Sequence, residues 1–448
     1  MPLSWSSSLA RISVPPFPSN PTFLIKGPKK YGKSTFARTL LNKLLMHYKR
    51  VAFLECDPGQ SEFTPGGFVS LNVVAQPIFG PPYTHPALPF RAHFILSTTP
   101  KTSPSIYLDG VKDLIDAWRV DVMHVSVFDE VDGDERVSDT IPLVINTMGW
   151  SKGLGVDLMQ KIEAMVEPGY VFDFRVKDNF SHSNLFELSP QPQHHHTDTV
   201  QICVLESAPF SALSLNYTPA DHRSLSILSY FYAIFPSPLK LQRHGPNFDQ
   251  LTAQSWDTIL PLCAMRPFEV DVHTAFDQII LLGAGSEDVV PDELSKVLNG
   301  ALVGFVRLDR RLSSDLQADN SGLTALYTQC QPPPSPSESS CIGLGLIRGV
   351  SFPPEYTEDP SSRATLHVLT PVPPSMLVGA RILVKGEIEL PIWGMLDFRH
   401  FSNNGDTGII AGVERGKVPY LQRGRSSKGV VGADKRRVRK NLMRRGQA

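Results

Sequence analysis

The run FLIKGPKKYGKSTFARTLLNKLL at residues 23–45 constrains this chain more than any other segment. It sets G-x-x-x-x-G-K-[ST] on Gly27, Gly32, Lys33 and Ser34, directly after an apolar strand-like run and directly before Phe36, Leu40, Leu44 and Leu45 at helical spacing. Glycines there let backbone N–H groups wrap a phosphate chain, and the helix N-terminus behind them presents partial positive charge. In that geometry Lys33 reaches the β- and γ-phosphates and the Ser34 hydroxyl reaches Mg²⁺. The nucleotide-binding segment is therefore expected to be Gly27, Pro28, Lys29, Lys30, Tyr31, Gly32, Lys33, Ser34 and Thr35. Lys29 and Lys30 fit solvated loop residues as well as phosphate contacts.

The next strand, VAFLECDPGQSEFTPGG, carries Glu55, Asp57 and Gln60 to its C-terminal end. That edge is where open α/β sheets bind ligands. A carboxylate placed there either holds Mg²⁺ or accepts the proton of an attacking nucleophile. Asp57 is the candidate for both roles, although it also suits a cap on the Pro58-Gly59 turn. Glu55 can face either side of its strand.

The first half alternates short apolar runs (Phe23–Lys26, Val51–Glu55, Pro142–Asn146, Val200–Leu205) with helical stretches (Ser34–Tyr48, Val111–Arg119, Gly155–Val166, His222–Phe235). This is the grammar of a P-loop-type α/β domain, a parallel sheet with flanking helices. After about Phe248 the texture becomes β-like: Glu269–His273, Gln278–Leu282, Leu302–Leu308, Ile342–Arg348, Ala364–Leu369 and Arg381–Ile388. The expected organisation is a flexible N-terminus (1–20), a P-loop domain (21–247) with an insertion loop at 181–199, a β-rich C-terminal domain (248–422) with a Pro/Ser loop at 331–340, and a basic disordered tail (423–448). The histidine triplet at His194–His196 lacks ligand partners at metal spacing and reads as loop.

With 448 residues the chain exceeds one core, and 41% hydrophobic with 19% charged residues describes a globular protein. Its 39 prolines are nearly double the usual share of about 5%. No apolar run approaches the ~18 residues of a membrane span and no signal-peptide h-region is present, so a soluble, non-secreted protein is expected. Five scattered cysteines without C-x-x-C spacing indicate neither a disulfide framework nor zinc, and a reducing compartment fits them. The net charge of −1 conceals a tail, residues 423–448, at +9. Such a tail reads as a nucleic-acid contact or a nuclear or nucleolar address, or as a solvated end.

Four motifs together, GPKKYGKST, ECDPGQSEFTPGG, INTMGWSKGLG (145–155) and ADHRSLSILSYF (220–231), resemble the polynucleotide 5′-hydroxyl kinase family. The resemblance is to the fungal branch linked to pre-ribosomal RNA processing, related to the kinase subunit of mRNA 3′-end cleavage factors; GEIELPIWGML (386–396) also looks like that branch. It implies ATP and Mg²⁺ as donor and cofactor, and RNA 5′ ends, with DNA as an alternative, as acceptor. It implies that Thr147, Gly149 and Trp150 form a clasp on the substrate end, Trp150 by stacking on a base. Gln60 would position metal-bound water, and Arg223 on a lid helix would screen charge on the transferring group. The resemblance further implies a ribonuclease partner in spacer cleavage and a nuclear, nucleolar location. Relatives usually carry an additional N-terminal domain, whereas here the P-loop begins 26 residues after Met1.

Other readings stay open: a small-metabolite P-loop kinase, or a non-catalytic ATP-binding scaffold of a ribosome-processing complex. A GTPase is disfavoured because no N-K-x-D guanine-reading motif occurs.

Overall fold

The computed structural model describes residues 1–12, 21–124, 134–175, 200–209, 217–236, 250–309, 326–351, 364–395, 409–410 and 413–414. The insertion expected at 181–199 and the tail at 423–448 lie outside the described residues. Two compact units are present: 1–257 with 267–389, and 258–266 with 390–448. In the second, the described elements are a short 3₁₀ turn, Ile392–Met395, and an antiparallel pairing of Ile409–Ile410 with Val413–Glu414.

The first unit holds two sheets. One is built on β1 (Thr22–Lys26), β2 (Val51–Glu55), β3 (Phe68–Val74), β5 (Arg91–Phe94), β6 (Leu143–Asn146), β7 (Tyr170–Phe174) and β8 (Gln201–Leu205), in the order β5-β3-β2-β6-β1-β7-β8; of the two-residue strands, β4 (Ala87–Leu88) pairs with β10 (Leu251–Thr252) and β9 (Ala233–Ile234) with β11 (Ser255–Trp256). The strands from β2 to β8 run parallel, and β3 and β5 extend the sheet antiparallel. Parallel strands covered on both faces read as unbroken apolar runs, which is why β1, β2 and β6 are legible in sequence. Strands β3, β5 and β7 are not among the expected ones. In β3 the buried Ser70 and Asn72 interrupt the run; they bond each other (3.0 Å) within the sheet.

Side chains alternate across the sheet. Leu24, Leu54, Ile145 and Val171 face α3 (Pro104–Ala117) and α4 (Leu154–Val166). Phe23, Ile25, Phe53 and Phe172 face α1 (Leu3–Ile12) and α2 (Lys33–Leu44). Residues 1–20 are thus not wholly flexible, as the sequence suggested, because Leu3–Ile12 form a helix that buries Trp5, Leu9 and Ile12. Trp5 packs edge-on against Phe36 (5.3 Å) and Phe174 (5.7 Å) and donates its indole N–H to the Glu206 carbonyl (2.9 Å). It lies directly behind Gly32, so α1 backs the P-loop.

The helix expected at His222–Phe235 is α5 (Pro219–Tyr232), which begins three residues earlier. A capping box explains the shift: Thr218 accepts from the Asp221 amide, Asp221 accepts from the Thr218 amide, and Pro219 opens the first turn. Its last turn anchors in the second sheet, where Tyr230 Oη accepts from the Leu344 amide (2.8 Å).

That second sheet comprises β12 (Phe268–Asp271), β13 (Gln278–Leu281), β14 (Leu302–Leu308), β15 (Ser339–Ser351), β16 (Thr365–Leu369) and β17 (Ile382–Lys385), ordered β12-β16-β15-β14-β17-β13. All neighbours are antiparallel except β13 and β17. The strand expected over Glu269–His273 stops at Asp271, whose side chain accepts from the Thr274 amide and caps a short helix, Val272–Ala275. Arg91 ties the sheets together, pairing with Asp113 on α3 and with Asp309 beyond β14 (3.1 Å).

Trp5→Ala should destabilise the protein by about 3 kcal/mol or more, as removal of a buried large aromatic does. Chemical denaturation of both proteins measures it; a loss below about 1 kcal/mol would show that α1 does not support the P-loop.

Candidate active site

At the C-terminal end of β1 the chain turns through Gly27 (φ 138°) and Gly32 (φ 98°), both in the region favoured by glycine. A Cβ on Gly27 would lie 2.5 Å from that of Phe174, so the loop also needs its glycine for close packing on β7. Lys33, first residue of α2, is buried, and its ammonium donates to the Pro28 carbonyl (3.0 Å). Tyr31 points to the core instead, and its carbonyl accepts from the Ala208 amide (2.8 Å).

Asp57 sits one residue beyond the Cys56 that ends the buried run. Its Oδ1 accepts from the Gly59 amide (2.9 Å), so it does cap the Pro58-Gly59 turn, and it also lines the cavity described below. Burial raises its carboxyl above the usual range, opposed by the Gly59 hydrogen bond and by Lys33 and Lys29. Glu55 faces inward, with no exposure at all. Its Oε1 accepts from the Asp57 amide (2.8 Å), its Oε2 from the Glu62 amide (3.2 Å), and both from Asn146 Nδ2 (3.1 Å each). Asn146 Nδ2 also lies 3.4 Å from Ser34 Oγ. Burial and the nearby Asp57 push the Glu55 carboxyl well above its ordinary range, while the Asp57 amide and the Asn146 side chain pull it down.

A cavity of about 570 Å³ collects the expected residues. Lys29, Lys30, Gly32, Lys33, Ser34 and Thr35 form one wall, Asp57 and Gln60 part of the floor, and Gly149, Trp150 and Arg223 further lining. Gly27, Pro28, Tyr31 and Thr147 do not line it. Thr147 is buried, and its hydroxyl donates to the Ile25 carbonyl (2.6 Å), fixing the clasp against β1. The clasp glycine is required by contact: a Cβ on Gly149 would come within 2.8 Å of Lys29 Cα. Arg223 also lines an adjoining groove of about 150 Å³ with Ser34, Gln60 and His222.

The remaining wall is Thr98, Thr99, Pro100 and Lys101, which the sequence did not single out; STTPK carries no motif, and only its position after β5 identifies it. The loop is held from the second sheet. Leu96 has a left-handed backbone (φ 69°), and its carbonyl accepts from the Glu387 amide (2.7 Å). Gly386 packs so closely that a Cβ there would meet Leu96 backbone.

An α/β fold of this order, with a glycine phosphate loop and a strand-end acid sharing one cavity, defines a P-loop nucleotide-binding protein. The family model for the P-loop of mRNA cleavage and polyadenylation factor CLP1 matches residues 27–233. The polynucleotide 5′-hydroxyl-kinase GRC3 of Cryptococcus neoformans is 36% identical over 99% of this chain and 59% of its own length. The polynucleotide 5′-hydroxyl-kinase NOL9 of Arabidopsis thaliana is 28% identical over 87% of this chain and 91% of its own. A solved complex of Clp1p with Pcf11p aligns with TM-score 0.49 at 16% identity, covering 86% of this chain and 77% of that one. The chain is a relative of the polynucleotide 5′-hydroxyl kinases named GRC3 and NOL9, as its four motifs suggested. It spans less than two thirds of the length of the Cryptococcus relative. Among the described residues, no helix is long and apolar enough to cross a membrane.

Lys33 gives the site a pH signature. Burial, with Lys29 adding to it, lowers its pKa to about 8 against the pull of Asp57 and Glu55. A bound triphosphate stabilises the ammonium, so binding takes up a proton once the free side chain is neutral. Nucleotide affinity should therefore be full below about pH 8 and fall about tenfold over each unit above it. Calorimetric titration from pH 7 to 9.5 checks this against Lys33→Met, which should be flat. A pH-independent wild type would contradict it.

Proposed function

We propose that this chain is an ATP-dependent polynucleotide 5′-hydroxyl kinase that transfers the γ-phosphoryl group to the 5′-hydroxyl of RNA, with DNA ends as a second acceptor. The observation that carries the reading is the single cavity with a phosphate loop on one side, Trp150 on another and Asp57 at its floor. Asp57 accepts the 5′-hydroxyl proton as that oxygen bonds to the γ-phosphorus and ADP departs. The raised carboxyl of Asp57 makes it a better base than a solvated aspartate. Lys33 and the loop amides hold the donor phosphates, and Arg223 offers bidentate donors to the equatorial oxygens. Gln60, beside Asp57 on the cavity floor, positions metal-bound water.

Ser34 and Asp57 would hold Mg²⁺, and the donor set fits, since both are oxygen ligands at the one cavity. When bound, the ion neutralises charge on the β- and γ-phosphates. Trp150 supplies a stacking surface for the terminal base, a contact of about 1–3 kcal/mol that tolerates any sequence. Thr147 and Gly149 set the height of that surface above the P-loop.

In this reading residues 21–247 are the kinase domain and 248–422 a β-rich domain, of which the sheet within 267–389 packs beside the kinase sheet. Work in ribosomal RNA processing at a nuclear, nucleolar location fits the relatives' names GRC3 and NOL9, while a ribonuclease partner in spacer cleavage rests on the motif resemblance alone. The tail at 423–448 carries the charge for an RNA contact or such an address.

Incubation with γ-labelled ATP and a 5′-hydroxyl oligonucleotide should label the oligonucleotide. Lys33→Ala and Asp57→Asn should each reduce the rate by about 10² or more, the range for loss of an electrostatic stabiliser and of a positioned base respectively. Absence of labelling by the wild type, or equal labelling by the variants, would overturn the reading. A small hydroxyl metabolite that outcompetes the oligonucleotide would favour a metabolite kinase instead.

A further inference from the structure

We infer that Lys101 forms, beside Trp150, a subsite for the first internucleotide phosphate of the acceptor strand; the inference rests on the kinase reading above. The P-loop wall already contains the groups that face a donor triphosphate: Lys29, Lys30, Lys33 and the loop amides. Lys101 lines the same cavity from the Thr98–Lys101 loop. Its ammonium stands 5.3 Å from the centre of the Trp150 ring, and that of Lys29 stands 5.8 Å from it. Trp150 is thereby flanked by one cation from the donor wall and one from the Thr98–Lys101 loop.

Among the described residues no carboxylate pairs with Lys101. An exposed cation–π contact contributes only about 0.5–1 kcal/mol, so a phosphate oxygen is the stronger partner for this ammonium. A nucleotide whose base stacks on Trp150 and whose 5′-oxygen approaches Asp57 carries its 3′-phosphate near the same ring. Only a polymer or a nucleoside 3′-phosphate supplies that anion; an unphosphorylated nucleoside does not.

The loop that carries Lys101 is built to hold a position. Leu96 is fixed in a left-handed conformation by the Glu387 amide on its carbonyl, and the Ser97 amide donates to the Ile95 carbonyl (2.8 Å). Two residues on, the Thr98 side chain packs beside Gly66 near the Arg223 aliphatic stem. A lysine on so restrained a loop selects an anion at a set distance from the clasp.

The test is a double cycle read by fluorescence anisotropy in the presence of a non-hydrolysable ATP analogue. It crosses wild type and Lys101→Ala with a 5′-hydroxyl oligonucleotide and its counterpart bearing a neutral methylphosphonate at the first linkage. Either change alone should weaken binding about tenfold, the value of one charge-assisted contact, and the two together should cost no more than one. The salt slope of the variant should fall by about 0.7, one phosphate on a single strand, and Lys101→Arg should restore it. Affinity for the ATP analogue alone, unchanged in Lys101→Ala, shows that the fold is intact. Independent, additive losses, or no loss on Lys101→Ala, would overturn the subsite. Coupled losses in a protein that transfers no phosphate would sink the kinase reading and leave the subsite standing; transfer without coupling would do the reverse.

Discussion

A carboxylate shut away from water holds this site together. Glu55 makes no direct ion pair among the described residues, and its two oxygens are met by three N–H groups from three places: the Asp57 turn, the Glu62 amide and the Asn146 side chain. An unsatisfied buried carboxylate is strongly destabilising, so each of these donors is held in place by the need to satisfy the others. The ends of β2 and β6 are thus locked to the turn that presents Asp57 and Gln60. Through Asn146 the same group reaches Ser34 at the head of α2. Glu62, in the loop that follows β2, repeats the device with opposite charge balance: Arg38 (2.7 Å) and His85 (2.9 Å) flank it and hold its carboxyl below its usual range against the effect of burial.

The glycines make a second constraint, one of distance. Gly32 approaches Trp5, Gly149 approaches Lys29, Gly67 lies where a Cβ would overlap Ile388, and Gly386 abuts Leu96. The last two are the joint between the sheets. The Gly67 amide donates to the Pro58 carbonyl (2.7 Å) and its carbonyl accepts from Ile95 (2.7 Å), so the segment 386–388 bears on both the Asp57 turn and the Lys101 loop. The β-rich sheet therefore shapes the Thr98–Lys101 side of the cavity without contributing a side chain to its lining.

The legibility of this fold in sequence follows its local physics. The P-loop, β2 and β6 were readable because their patterns are local: glycines at fixed spacing, and apolar runs buried on both faces. Asp57, Gln60, Trp150 and Arg223 were identified by motif and meet in one cavity. Thr147 was placed in the clasp, but its hydroxyl holds β1, since a threonine two residues before a glycine carries no sign of which way its Oγ turns. Lys101 and Glu55 needed three dimensions. Lys101 matters through a loop pinned 286 residues away in the chain by Glu387, and the face of Glu55 is set by Asn146 on β6 and by the amides of the turn that follows β2, none of which is local in sequence pattern. The helix over residues 3–12 carries no local signal, because SWSSSLARI is serine-rich and the aromatic partners of Trp5 lie on α2 and β7.

In the proposed mechanism donor and acceptor meet in one cavity across Asp57. A crystal structure with a non-hydrolysable ATP analogue, Mg²⁺ and a short 5′-hydroxyl RNA tests it directly. The expected complex has the triphosphate on Gly27–Ser34, the terminal base against Trp150, and the 5′-oxygen within hydrogen-bond reach of Asp57 in line with the γ-phosphorus. An RNA end seated away from Asp57, or a nucleotide outside the P-loop, would contradict it.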